Sequence, residues 1–274
     1  MTGLNEKQHK LRSVVLPGRE FTVQNRALCF LPGDRRPKAT AGDSLLGRLQ
    51  DFFKGYGRLY SFLVTVFAPV LGTHLMQMVY RTLREFGPEA VILNLGSGPH
   101  TLDNRADVVN VDLYAFDQVD MVCDAADIPV QDNSVDLIVN TALLEHVPNP
   151  EVVVREMHRV VKVRGKIVCY LPFLVPFHAA PFDYHRWTLA GARELFRDFE
   201  QVQAGVGAGP TSGLLYVFQQ WAALTLSLGS KKLHDVLFIL LLLTTWPIKL
   251  LDLILIRHPF ADKVASGFYV IAQK

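Results

Sequence analysis

Two groups of residues in this sequence are of types and spacings suited to chemistry. In the first, the apolar run VILNL ends in Gly96-Ser97-Gly98, and a second apolar run ends sixteen residues after Gly96 in Asp112. Glycines at such a turn remove the side chains that would keep a ligand from the backbone. A carboxylate at the tip of the neighbouring strand can accept two hydrogen bonds from the cis-hydroxyls of a ribose. Asp124 ends a third run and is placed to accept from an adenine amino group. The pattern predicts an adenosine-containing cofactor. A dinucleotide fingerprint calls for a third small residue three positions after the second glycine, where Thr101 stands, so a nicotinamide cofactor loses ground.

The second group follows the apolar run ending at Leu171 and comprises His178, Asp183, Tyr184, His185 and Arg186. An imidazole titrates near neutrality and can take a proton from a hydroxyl in the transition state. His178 is the first candidate for a general base and His185 the second, with Asp183 beside them. The competing reading makes Asp183, Tyr184 and Arg186 a buried hydrogen-bonded turn that holds the loop. His178, Asp183 and His185 are also metal-ligating types, but a fourth candidate and Cys-pair spacing are missing, so no metal is expected.

The elements that must position these groups follow from the apolar runs. Strands are predicted at 91–95, 108–112, 120–123, 135–139 and 166–171, with a helix at 149–162. Their alternation with helices suits a parallel sheet. Thr188 opens a further helix, Glu200 to Val206 suits a sixth strand, and GFYVIAQK suits a seventh.

Several runs in order, Asp-Ala-x-x-Ile-Pro from Asp124, Asp-x-Ser-Val-Asp from Asp132, LLEHV and REMHRVVKVRGKI, resemble the class I S-adenosylmethionine-dependent methyltransferases. Within that class the ubiquinone-biosynthesis-type (methyltransferase type 11-like) branch is the most similar, over roughly residues 88–200. The resemblance implies an α/β, doubly wound, mostly parallel seven-stranded sheet whose last strand inserts antiparallel between the fifth and sixth. It implies S-adenosyl-L-methionine as cofactor, contacted by Asn94, Gly96, Ser97, Gly98, Asp112, Leu113, Asp124, Ala125 and Asn140. His146, after the fourth strand, would lie beside the methyl-transfer site, where a packing role is the alternative. The chain departs from the family pattern at Asn94, where an acid is usual, at His100, where a glycine is usual, and in the turn Lys162-Val163-Arg164-Gly165, which keeps one glycine. The second group matches a His-x-x-Pro-x-Asp-Tyr-x-Arg-x-Thr signature of bacterial relatives. The implied activity is methyl transfer to an oxygen, in second place a nitrogen or carbon, of a small or lipid-linked acceptor. The alternatives are a catalytically inactive, membrane-associated scaffold of the same fold and a nicotinamide-dependent oxidoreductase.

With 28 basic and 26 acidic residues and a net charge of +2, the composition gives no footprint for nucleic acid, and no nucleic-acid partner is expected. Cys29, Cys123 and Cys169 are far apart, which suits buried reduced thiols. The polar start lacks the apolar core of a signal peptide, so the catalytic part is expected in the cytoplasm. Residues 12–32 suggest a hairpin around Pro17-Gly18; they resemble the zinc ribbon that precedes some related methyltransferases but lack its cysteines, so no zinc is expected there. The expected organisation is a hairpin and linker at 1–42, a helical cap at 43–88 starting at Asp43 or Ser44, the cofactor-binding core at 89–206, an apolar helical insert at 207–266, and the final strand at 267–274. No Asp, Glu, Lys or Arg occurs from Gln201 through Ser230, and a second apolar run spans Val236 to Ile256, broken by Pro247, Lys249 and Asp252. Because the strands flanking the insert share one sheet, it must cross a membrane an even number of times or not at all. Lys231 and Lys232 in a far-side turn would oppose the positive-inside tendency. The favoured expectation is a monotopic, in-plane or re-entrant helical pair at the inner membrane surface through residues 211–256, with a buried cap or a homodimer interface as alternatives.

Overall fold

The apolar runs of the central segment form the middle of one nine-stranded sheet in the computed structural model, which describes residues 6–34, 66–99, 101–102, 105–178 and 181–274. The start of the expected cap at Asp43 or Ser44, and His100, lie outside the described residues. Strands β3 (Ile92–Leu95), β4 (Val109–Asp112), β5 (Met121–Val122), β6 (Val135–Thr141) and β7 (Val161–Pro172) pair in parallel. Strand β9 (Gly267–Gln273) lies antiparallel between β7 and β8 (Gln201–Ala208). With β1 (Thr22–Gln24) and β2 (Ala27–Cys29) at one edge, the sheet order is β1-β2-β5-β4-β3-β6-β7-β9-β8. Ile92, Leu93, Leu137, Ile138, Val139, Ile167 and Val168 are fully buried, as strands covered on both faces require. Each such Leu or Ile contributes about 1.5–3 kcal/mol of burial free energy.

The sheet has two strands more than the seven expected. They come from the N-terminal hairpin β1 (Thr22–Gln24) and β2 (Ala27–Cys29), whose second strand pairs in parallel with β5. The hairpin does not turn at Pro17-Gly18 as expected. It turns at Asn25 and Arg26, both at positive φ (45° and 69°), the backbone of a two-residue turn that matches strand twist. Residues 12–14, read as part of the hairpin, instead end helix α1 (Glu6–Val14), which anchors itself through Leu11 and Val14.

The described part of the expected helical cap is not one helix. Residues 68–72 leave the helical path before α2 (Thr73–Leu83), at Pro69 and Gly72. Helix α3 (Pro150–Val160) stops two residues early because β7 begins at Val161 and absorbs the expected turn. Arg164 there takes a positive φ of 66°, and a Cβ on Gly165 would lie 2.7 Å from Val161. Thr188 caps α4 (Leu189–Leu195) by accepting from the Gly191 amide.

Between β8 and β9 the chain runs through α5 (Pro210–Leu226) and α6 (Lys231–Thr245), a 3-10 segment (Trp246–Leu251) and the short α7 (Asp252–Leu255). Helices α5 and α6 pack through Ala223, Phe238 and Leu242. The two charges that break the second apolar run both turn inward and are 2% exposed. Asp252 accepts from the Thr211 and Ser212 amides and the Ser212 hydroxyl, satisfying first-turn N–H groups of α5. Lys249 donates to the carbonyl of Ala68 at 2.6 Å, and its desolvated ammonium is pushed down to about 8. The Leu71 amide donates to Ser212 Oγ, so the segment before α2 is tied to the insert at two points.

Candidate active site

The cofactor side is built at the carboxyl ends of β3, β4 and β5. Gly96 adopts φ +74°, and a Cβ there would lie 2.8 Å from that of Leu143, so no other residue fits the turn without displacing the loop after β6. The Gly96 and Ser97 amides donate to the carbonyl of Val111, and the Gly98 amide donates to Asp112 Oδ2 at 2.8 Å. The loop therefore offers a ligand a face without side chains rather than free donors, and a Cβ on Gly98 would meet nothing within 4 Å. Asp112 Oδ1 accepts from the Tyr114 amide. Burial raises the Asp112 carboxyl above its usual range, and hydrogen bonds from the Tyr114, Gly98 and Leu113 amides oppose that rise. Leu113 is exposed beside it, and Asp124, with Ala125 next to it, holds the turn after β5 by accepting from the Ala126 amide.

Two of the residues expected to touch the cofactor are engaged between strands. Asn94 is buried and donates to Asn110 Oδ1 on β4. Asn140 is fully buried, donates to the Leu95 carbonyl and accepts from Cys169 Sγ. Burial pushes the thiols of Cys123 and Cys169 well up, so both stay protonated.

The loop after β6 joins the two sides. Ala142 takes a positive φ of 60°, Leu143 fits under Gly96, and the one-turn 3-10 helix Leu144–His146 then drives Glu145 into the interior. Glu145 is 0% exposed. Its carboxylate stands at the end of a cavity of about 260 Å³ lined also by Pro69, Val70, Leu75, Ala142, Tyr170, Val175, His178 and Tyr216. The cavity thus takes walls from the segment before α2, from β7 and its following loop, and from α5.

The loop after β7 brings His178 to this carboxylate. His178 Nε2 lies 3.7 Å from Glu145 Oε1, and the Glu145 carboxylate, aided by the Pro176 carbonyl and Asp183, raises the imidazole above its ordinary value against the cost of burial. Asp183 and Arg186 form the buried brace of the loop. Arg186 donates to both oxygens of Asp183 at 2.5 and 2.7 Å and to the carbonyls of Val175 and Pro176, while Asp183 also accepts from the His178 amide. The Arg186 guanidinium holds the Asp183 carboxyl down at about 2. His146 also reaches Glu145, with Nε2 3.9 Å from Oε1. His185 is not brought to the group. Its ring lies against Trp187, with Nε2 3.3 Å from the Pro148 carbonyl. Tyr184 is exposed and donates its amide to the Glu145 carbonyl. Glu145 itself was not among the candidates from sequence, where LLEHV reads as the entry to a helix. The only signal was its adjacency to His146.

Residues 55–169 match the family model described as a methyltransferase domain. The chain therefore carries a methyltransferase domain, and its strand order β5-β4-β3-β6-β7-β9-β8 with an antiparallel β9 is the sheet that the resemblance to the class I S-adenosylmethionine-dependent methyltransferases implies. Similar solved structures include phosphoethanolamine N-methyltransferase 2 of Haemonchus contortus in complex with S-adenosyl-L-methionine. It is 18% identical over 82% of this chain and 59% of that one, with a TM-score of 0.47. Another is the Burkholderia thailandensis 1,6-didemethyltoxoflavin-N1-methyltransferase, 14% identical over 89% of this chain and 93% of that one, with a TM-score of 0.44. No protein of curated function matches the chain.

The strand-end residues fit S-adenosylmethionine: Gly98, where a Cβ would meet nothing within 4 Å, leaves room beside Asp112, and Leu113 offers an apolar surface. Asp112 would hold the ribose and Asp124 the adenine amino group. When bound, the cofactor supplies an activated methyl group and its own leaving group. The protein's part is to align an acceptor and manage its proton.

Proposed function

We propose that the enzyme transfers the methyl group to an oxygen of a small or lipid-linked acceptor at the cytoplasmic membrane surface. The observation that carries this reading is the double role of α5. Its inner face supplies Tyr216 to the acceptor cavity, while Leu214, Val217, Phe218, Trp221 and Leu224 on its outer face are exposed. Leu233, Val236, Leu240 and Leu243 of α6 and Leu250, Leu251, Leu253 and Ile254 beyond it extend the exposed apolar surface. The helical run Lys231–Leu255 is, by length and composition, enough to cross a membrane, with a mean hydropathy of 2.0 and 22% of the window buried. Yet Lys249 and Asp252 are hydrogen-bonded inside the protein, and β8 and β9 must meet in one sheet. An in-plane insert satisfies both conditions. A homodimer through the same face is the competing use of this surface.

At the inner end of the cavity, His178 Nε2 takes the acceptor's proton and Glu145 stabilises the imidazolium that results. Tyr170 and Val175 shape the apolar walls around the acceptor.

The membrane half of the proposal is tested by flotation of the full-length protein with phospholipid vesicles, carbonate and detergent washes of membranes, and a cysteine label placed near Lys231. Co-flotation and release by detergent but not carbonate, with the label reacting from the cytoplasmic side, is the expected result. Full solubility without detergent reduces the insert to a cap or dimer interface. Labelling from the far side replaces the in-plane insert with a two-pass hairpin.

A further inference from the structure

We propose that Glu145, His146 and His178 form a binding site for a divalent transition cation such as Zn²⁺ at the inner end of the acceptor cavity. The binding claim stands on geometry alone; the cation's use in methyl transfer rests on the function proposed above.

The observation is a convergence of electron pairs. Both oxygens of Glu145 are buried without a hydrogen-bond partner among the described residues, a costly state for a carboxylate. The Nε2 atoms of His178 and His146 lie 3.7 and 3.9 Å from Oε1. On each ring the other nitrogen faces a backbone carbonyl. His146 Nδ1 lies 2.6 Å from the Phe182 carbonyl, and His178 Nδ1 lies 3.0 Å from that of Pro176. A carbonyl only accepts, so each Nδ1 carries the hydrogen and each Nε2 of a neutral ring presents a lone pair. Arg186 Nη2, 3.3 Å from His178 Nδ1, is engaged by the Pro176 carbonyl and Asp183 and does not change this assignment. With both rings neutral, two imidazole lone pairs and a carboxylate thus point at one another.

Histidine metal ligands are held in this way, their second nitrogen donating to a carbonyl or carboxylate. The candidate ligand atoms of the three residues all lie within 4.8 Å of one another. A Zn²⁺ ion about 2.0–2.2 Å from each draws them together by several tenths of an ångström, a side-chain adjustment. Two histidines and one carboxylate leave coordination positions vacant, and Glu145 and His178 both line the cavity, so those positions face the acceptor. There the cation would bind an acceptor hydroxyl and ease loss of its proton to water. His178 is then a ligand, whereas in the cation-free protein its Nε2 takes the proton itself. The sequence pairs His178 with Asp183 and His185; the fold commits Asp183 to Arg186 and His185 to Trp187, and supplies the other two ligands from the loop after β6.

The test is titration of the full-length, chelator-treated protein with Zn²⁺ by calorimetry, with Co²⁺ as a spectroscopic probe and S-adenosylhomocysteine binding as the check on folding. One equivalent should bind, with visible Co²⁺ bands of a nitrogen and oxygen site, and Glu145→Gln and His146→Ala should each weaken Zn²⁺ by at least about 100-fold while still binding S-adenosylhomocysteine. His178→Asn is the third variant should either of those lose its fold. Wild-type protein that binds S-adenosylhomocysteine but no Zn²⁺, or Zn²⁺ binding unchanged in the folded variants, overturns the cation site and leaves the methyltransferase reading standing. Zn²⁺ binding that responds to the variants in a protein that binds no S-adenosylhomocysteine keeps the site and removes its proposed use in methyl transfer.

Discussion

The two halves of the candidate site are satisfied to different degrees. At the ends of β3 and β4, the Gly96, Ser97 and Gly98 amides have protein acceptors, and both oxygens of Asp112 already take a hydrogen bond. In the wall of the acceptor cavity, Glu145 has no hydrogen bond at either oxygen among the described residues, and two imidazoles lie beside it. The first half is complete as protein and needs only a ligand of the right shape. The second is electrostatically incomplete without a proton or a cation. Rigid strands carry the first, while two loops and the apolar insert carry the second, so the cofactor edge is preorganised and acceptor chemistry depends on how the loops are braced.

The largest expected effect attacks the joint between the halves. Gly96→Val places a side chain at φ +74° against Leu143. It should weaken S-adenosylhomocysteine by about 100-fold or more, at an expected strain of about 1–3 kcal/mol plus the clash, with calorimetry as the readout and circular dichroism as the folding check. His178→Ala touches only the acceptor half. Turnover should fall by about 100-fold or more with S-adenosylhomocysteine affinity nearly unchanged. If only thermal stability falls, His178 is structural. Asp112→Ala touches only the cofactor half and should lower affinity by about tenfold or more, the loss of charge-assisted bonds worth about 1.5–3 kcal/mol. Unchanged affinity in a folded protein would put the ribose elsewhere.

Bracing of the acceptor half is read by acid denaturation. Asp183 sits at about 2 in the folded protein because of Arg186, below its unfolded value. Its contribution, about 2 kcal/mol, is therefore present above the unfolded carboxylate range and lost as pH falls from about 4 toward 2. Asp183→Asn should lower stability at neutral pH and flatten that part of the profile. The smallest effect on folding is expected on the outer face: Leu240→Glu, at an exposed position, should change stability by less than about 0.5 kcal/mol yet abolish flotation with vesicles. Loss of folding instead would show that this face packs against protein.

The sheet was legible because buried parallel strands must be continuous apolar runs, and VILNL and VDLIV advertise themselves. Helix α1 was not, since only Leu11 and Val14 reach the core from a polar segment. The turn at Gly96 and Gly98 and the place of Asp112 at the end of β4 were legible because they depend on local geometry at strand ends. The inter-strand bonds of Asn94 to Asn110 and of Asn140 to the Leu95 carbonyl were not legible, because only the paired strands bring these partners together. Lys249 and Asp252 read as interruptions of an apolar run because the sequence does not say that one reaches Ala68 and the other the start of α5. Glu145 stayed hidden for the same reason. Its importance lies in burial beside residues more than thirty positions away.

The most direct measurement of the central claim is transfer of a labelled methyl group from S-adenosylmethionine by the full-length protein, offered the lipid and aqueous fractions of host-cell extract separately. The account predicts label in a lipid-fraction product that resists mild base-catalysed ester cleavage, with the signal reduced about 100-fold in His178→Ala. Label confined to water-soluble products would narrow the acceptor to a small molecule; no labelled product in either fraction, or label undiminished in that variant, would contradict the account.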